Sequence, residues 1–200
     1  MRIFRFDITT RALHWSHAII FIWLLVTGIG LFFTPKSLLG DPLIKMVHLY
    51  ASLPFILLPI TIYIFGSIRT RDDVKELMDW TQDDMRWFLE FLKKNKIHVV
   101  GKFNAGQKAN LLATLLLIAG LSLSGFVVWM KSMFGVDFVE LNFIVHDFFA
   151  ILSALLLTGH IVFALYYSES LRGIIYGAVD AKWAQEHYPD WFRKKNLEMR

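Results

Sequence analysis

The sequence predicts an all-α integral membrane protein: a bundle of four transmembrane helices, with an amphipathic surface helix between the second and third. Three observations carry this expectation. The 200-residue chain is 56% hydrophobic with a mean hydropathy of +0.47, more apolar than soluble domains of this size. Its apolar residues are bunched into four runs, residues 12–33, 43–66, 109–130 and 141–167. Each run reaches the roughly 20 residues that cross a bilayer core. Of the 21 Lys and Arg residues, only Lys36, Lys45 and Lys131 fall on the opposite side, in the loops after runs one and three or at the start of run two. The others precede run one, lie between runs two and three, or follow run four. That bias puts both termini and the middle loop in the cytoplasm of a bacterial inner membrane.

Taken in order, the first run contains histidines and is followed by TPKS rather than a small-residue cleavage site, so it reads as a span and not a leader. The outer loop TPKSLLGDP has a proline near each end, as tight connections do. Pro54 and Pro59 lie inside the second run, each removing a backbone hydrogen bond, and predict a bend there. In residues 73–95, Val74, Leu77, Met78, Met85, Phe88, Leu89 and Leu92 recur at helical spacing, which predicts one amphipathic helix on the cytoplasmic surface or against the bundle. GKFNAGQK (residues 101–108) reads as a helix-entry loop with Asn104 as its cap. A second outer loop turns at Gly135. The tail WAQEHYPDWFRKK mixes aromatics with bases and is expected at the membrane interface. There are no cysteines, which excludes disulfides, iron–sulfur clusters and thioether-attached haem. A redox centre here needs histidine, methionine or oxygen ligands. The basic pI of about 9.3 follows the membrane topology, so no nucleic-acid partner is expected.

The stretch VHDFFAILSALLLTGH, residues 145–160, places a histidine near each end of an apolar run. Ionisable side chains inside a span are costly and concentrate at functional sites. His146 and His160 are 14 residues apart, about 21 Å along a helix and within about 40° of one face. Topology sets their depths. His48 and His146 each fall five residues into spans that enter from outside, whereas His14 and His160 lie near the inner face. One helix therefore presents two imidazoles at two depths, each with a depth-matched partner. Two histidine pairs stacked in a bundle point to two bis-histidine haems. With both axial positions filled, such a centre transfers electrons and leaves no place for substrate. Thr27, Gly28, Gly30, Gly120, Ser122, Ser124 and Gly125 leave room for a flat ring, and equally serve close helix packing. Metal transport along a histidine-lined path, or a structural anchor, stays open, although Asp147 is the only acid clearly inside a span. His17, on nearly the same face as His14, competes as a ligand. His98 and His187 read as surface histidines.

RALHW (residues 11–15), His48, GKFNAGQK, the His146/His160 spacing and the tail YGAVDAKWAQEHYPDWFRKK (residues 176–195) together resemble the cytochrome b (gamma) subunit of membrane-bound respiratory formate dehydrogenase, over nearly the whole length. The resemblance implies two haems b, the outer ligated by His48 and His146, the inner by His14 and His160. It implies that menaquinone, or ubiquinone, is reduced near the inner haem at Asn104, Gly106 and Gln107, with His160 close by and protons taken from the cytoplasm. An amide side chain and a backbone N–H suit a quinone carbonyl. It also implies an iron–sulfur electron-transfer subunit and a molybdenum or tungsten catalytic subunit as partners, in a trimer of heterotrimers surrounded by lipid. Having neither nucleotide motif nor cysteine, the chain is expected not to oxidise formate alone. Subunits of hydrogenase or thiosulfate reductase share the four histidines, so the partner enzyme stays open. Asp147, beside a haem ligand, departs from the pattern and has no assigned role.

Overall fold

The computed structural model describes residues 1–33, 42–93, 99 and 101–198. The first outer loop, His98 and the last residues of the expected surface helix lie outside them. The order of elements is β1 (Arg2–Phe4), α1 (Ile8–Phe33), α2 (Pro42–Phe65), α3 (Ile68–Met78), α4 (Gln82–Leu92), α5 (Ala105–Trp129), a 3-10 turn (Lys131–Met133), α6 (Val136–Tyr166), α7 (Ser168–Tyr176), β2 (Ala178–Asp180), α8 (Ala181–His187) and α9 (Pro189–Glu198). Among the described residues the protein is all-α but for the short β1–β2 ladder. Helices α1, α2, α5 and α6 have the length and apolarity to cross a membrane. α2 continues through both Pro54 and Pro59. At 31 residues, α6 is about 46 Å long, more than a hydrocarbon core requires.

Contacts divide the chain into two compact units: Ala12–Phe65 with Thr114–Gly159, here the membrane unit, and Met1–Arg11 with Gly66–Ala113 and His160–Arg200, the peripheral unit. In the membrane unit the large apolar side chains face outward. Ile19, Val26, Leu57, Leu116, Leu123, Ile144 and Leu155 are all exposed, as suits a lipid solvent. Among its described residues the buried side chains are Phe55, Val139 and two serines, Ser124 and Ser153.

The peripheral unit has a core of the soluble kind. β1 pairs antiparallel with β2, Ile3 opposite Val179, and both side chains are buried. Gly177 ends α7 at φ +85°, where its carbonyl accepts hydrogen bonds from Arg5 N (2.8 Å) and Phe6 N (3.0 Å). A Cβ there would meet the Phe6 carbonyl oxygen at 2.8 Å, so glycine is required on two counts. The tail contributes to this core. Ala184 and Tyr188 are buried, α8 packs against the N-terminal strand, and α9 packs against α8.

The surface helix expected over residues 73–95 is two helices. The chain leaves the helical conformation at Asp79 (ψ 107°), and Thr81 starts α4 by donating from its N and Oγ1 to Asp84 Oδ2 at 2.8 and 2.9 Å. Lys108 secures the break by bonding the freed Asp79 carbonyl at 2.7 Å and Asp84 at 2.8 Å. Burial pushes the Asp84 carboxyl up, but the hydrogen bonds from Lys108 and Thr81 outweigh it and hold the group below its usual 3.8. A depressed pKa stabilises the fold above the unfolded value, and that contribution disappears as pH falls through the folded value. Asp84→Asn should therefore lower stability by about 3 kcal/mol near neutral pH, because Lys108 is left buried without its counter-charge. The difference from the parent protein should close below about pH 4, and denaturation in detergent across pH tests both.

Candidate functional site

His48 on α2 and His146 on α6 face each other within the membrane unit. Their ring centroids are 6.4 Å apart and their planes cross at 75°. Hydroxyl groups fix both rings. Thr27 Oγ1 bonds His48 Nδ1 at 2.7 Å, and its own proton goes back to the Trp23 carbonyl at 2.9 Å. Ser124 Oγ bonds His146 Nδ1 at 3.0 Å and donates to the Gly120 carbonyl at 2.7 Å; the Leu121 carbonyl is 3.1 Å from the same Nδ1. A hydroxyl that spends its proton on a carbonyl can only accept from the ring, so each Nδ1 carries the hydrogen. Each Nε2 is then a free lone pair, the state a metal-binding imidazole needs. Two metal–imidazole bonds of about 2 Å, with about 1 Å more from each nitrogen to its ring centre, put the centroids a little over 6 Å apart. The observed separation fits one iron between the rings.

Glycines pack against this pair. A Cβ on Gly125 would stand 3.1 Å from His146 Cε1, and one on Gly28 would stand 3.4 Å from His48 Cε1. Gly120 admits the Phe149 ring, whose atoms lie 2.5 Å from where its Cβ would be. The sequence marks Thr27 and Ser124 only as small; their hydroxyls orient the imidazoles. An apolar helix that carries Thr or Ser near a histidine-bearing neighbour is the signal that could have found them.

The other histidines are arranged differently. His14 belongs to the membrane unit and His160 to the peripheral unit. His14 meets Trp15 edge-on at 5.0 Å. His17 lies flat on the buried Phe55 ring, 4.3 Å between centroids, with its Nδ1 buried and lacking a partner among the described residues. Asp147 is half-buried on α6. His187 is exposed and stacks on Trp183.

In the peripheral unit, Asn104 and Gln107 cap α5 reciprocally. Asn104 Oδ1 accepts from Gln107 N at 2.9 Å, and Gln107 Oε1 accepts from Asn104 N at 3.0 Å. The capping role read from the sequence is thus realised, with Gln107 as its second half. Both amide oxygens are committed, so these side chains face a ligand only with N–H donors. Asn104 Nδ2 reaches the Tyr188 hydroxyl at 3.4 Å, and the Trp87 ring lies 3.2 Å from a Cβ placed on Gly106. Arg5 joins the two motifs that the sequence holds far apart. Its guanidinium stacks 4.2 Å from the Tyr188 ring, lies 5.4 Å from Phe6, Trp183 and Trp191, and donates to the Lys102 carbonyl at 2.7 Å. Desolvated cation–π contacts of this kind contribute about 2 kcal/mol.

The family model described as prokaryotic cytochrome b561 matches residues 5–177. The chain belongs to the prokaryotic cytochrome b561 family. This cytochrome b is similar to the formate dehydrogenase cytochrome b556 subunit of Haemophilus influenzae, 28% identical over 98% of this chain and 84% of that protein. It is also similar to the nitrate-inducible formate dehydrogenase cytochrome b556(Fdn) subunit of Escherichia coli K12, 26% identical over 92% and 87%. The b556(fdo) formate dehydrogenase subunit of the same strain is 24% identical over 96% and 92%. The family implies haem b and a membrane electron-transfer role. Gly125→Val should drive the His146 ring from its place and reduce haem b per polypeptide, measured as the pyridine haemochrome; unchanged haem content would contradict this packing.

Proposed function

We propose that this chain is the membrane-anchoring di-haem cytochrome b subunit of a respiratory formate dehydrogenase, carrying electrons from an extracytoplasmic catalytic subunit to menaquinone. The observation that carries this reading is the His48/His146 pair, set at the separation one iron requires with both Nε2 lone pairs free. His48 and His146 would hold the outer haem b; His14 and His160, one helical stretch further in, would hold the inner. Bound there, haem b supplies one-electron chemistry. Thr27, Ser124 and the Leu121 carbonyl keep each Nδ1–H engaged, which fixes the ring tautomer and raises ligand basicity.

At the other end, Asn104 and Gln107 offer amide N–H groups and Gly106 a backbone segment that a quinone ring can approach. Trp87 and Tyr188 set the walls. Quinone oxygens take up protons as they are reduced, and the clustering of Lys and Arg argues that this end faces the cytoplasm. The relatives' names support a formate dehydrogenase of several subunits; its other parts would be an iron–sulfur subunit and a molybdenum or tungsten catalytic subunit. Assembly would then follow a trimer of heterotrimers in the inner membrane.

A reduced-minus-oxidised spectrum of the purified chain should show b-type bands from two haems. His48→Ala or His146→Ala should remove one of the two and leave the other. Loss of both, or of neither, would overturn the pairing.

A further inference from the structure

The peripheral unit contains an open cleft of about 490 Å³ whose lining includes Arg5, Arg69, Asp73, Glu76, Lys102 and Lys194. Two of these residues are nearly inaccessible yet reach its wall. Asp73 and Lys102 are 7% and 8% exposed and form an ion pair of 2.5 Å. Behind them runs a line of hydroxyl groups. Thr10 Oγ1 bonds Asp73 Oδ2 at 3.4 Å and Thr70 Oγ1 at 3.0 Å; Thr70 Oγ1 bonds Asp7 Oδ1 at 3.2 Å and Ser67 Oγ at 3.0 Å; Ser67 Oγ donates to Asp7 Oδ2. Thr70 is fully buried. Asp7 stands before the first turn of α1, the helix that bears His14.

Part of this network has a plain structural use. Asp7 caps α1 through Thr10 N at 2.8 Å, and Ser67 caps α3 through Thr70 N at 3.0 Å. Caps need neither the Thr10–Thr70 link nor a buried carboxylate–ammonium pair at the cleft. Such pairs are expensive to bury, and apolar side chains of similar volume commonly stabilise a fold better. What the extra groups add is a continuous run of atoms that both donate and accept hydrogen bonds, from the cleft to Asp7.

We propose that Asp73, paired with Lys102, loads protons from the cleft for quinone reduction, and that Thr10 and Thr70 relay them to Asp7. This rests on the quinone-reducing reading above. Each quinone takes two electrons from the donor and two protons to become a hydroquinone. For each proton, the Asp73 O–H bond breaks toward Thr10, the Thr10 proton moves to Thr70, and the Thr70 proton moves to the Asp7 carboxylate and onward to a quinone oxygen. Cleft water then reprotonates Asp73. The electrostatics suit a shared proton. Burial pushes the Asp73 carboxyl up against the pull of Lys102, and pushes the Lys102 ammonium down, while Glu76 and Arg5 act on the pair from either side. At Asp7, burial is outweighed by the bonds from Ser67, Thr10 and Thr70, which hold that carboxyl low, so that it surrenders a proton to a stronger base such as a reduced quinone oxygen rather than keeping it. Lys102 also lies two residues before Asn104, in the segment proposed to meet the quinone.

The test uses membranes containing the whole complex, with haem reduction by the donor and haem reoxidation by an added naphthoquinone followed separately. Asp73→Asn and Thr70→Val should leave haem reduction at the parent rate and slow reoxidation roughly tenfold or more. Acetate should restore Asp73→Asn by carrying protons past the missing carboxyl, and Thr70→Val should show an increased solvent deuterium isotope effect. Parent rates in both variants would overturn the proposal, and so would a slowed Asp73→Asn that acetate does not restore. If Asp73→Asn loses its haem spectrum, Thr70→Val decides alone: slowing with the larger isotope effect supports the relay, and any other result overturns it. A parent protein whose haems are not reoxidised by quinone would instead remove the quinone-reducing reading.

Discussion

An imidazole inside a bilayer is costly unless its nitrogens are satisfied, and the arrangement around His48 and His146 follows from that constraint. One nitrogen of His48 and of His146 is satisfied by a hydroxyl from a neighbouring helix, which leaves the other for a metal. Thr27 and Ser124 can serve because each returns its own proton to a carbonyl one turn back. Gly125 stands where a larger residue would crowd the His146 ring, and Gly28 lies directly against the His48 ring. The lipid-facing surface needs only to be apolar, so specificity is concentrated in a few small and hydroxyl-bearing positions.

The peripheral unit answers to water and is built accordingly. A glycine turn, a three-residue strand pair and an arginine enclosed by aromatic rings bring the N-terminus, the GKFNAGQK segment and the tail into one core. This explains why the motifs most distinctive in the sequence lie so far apart along it. Asn104, Gln107, Tyr188 and Arg5 constrain one another, and replacing any one of them disturbs the segment that caps α5.

Much of this was legible beforehand. Hydropathy finds the four long helices, because the bilayer imposes length and apolarity together. Counting turns along α6, one unbroken helix, gives the axial spacing of its two histidines. The helices nonetheless start earlier than the apolar runs, α1 at Ile8 and α5 at Ala105, because Asp7 and Asn104 cap polar first turns that hydropathy ignores. The break between α3 and α4 was hidden by an apolar periodicity that continues across it, although Thr81 and Asp84 have the spacing of a capping box. The pairing of Ile3 with Val179 and the enclosure of Arg5 could not be read at all. Strands of three residues show no useful alternation, and contacts across more than 170 residues leave no local mark.

The central claim is that His48 and His146 are the two axial ligands of one haem iron, with crossed ring planes. Electron paramagnetic resonance of the oxidised protein tests it most directly, since the angle between ligand planes governs the anisotropy of low-spin ferric haem. The account predicts a highly anisotropic low-spin signal that disappears when His48 is replaced. A high-spin signal in the parent protein, or a low-spin signal characteristic of parallel rings that survives the replacement, would contradict it.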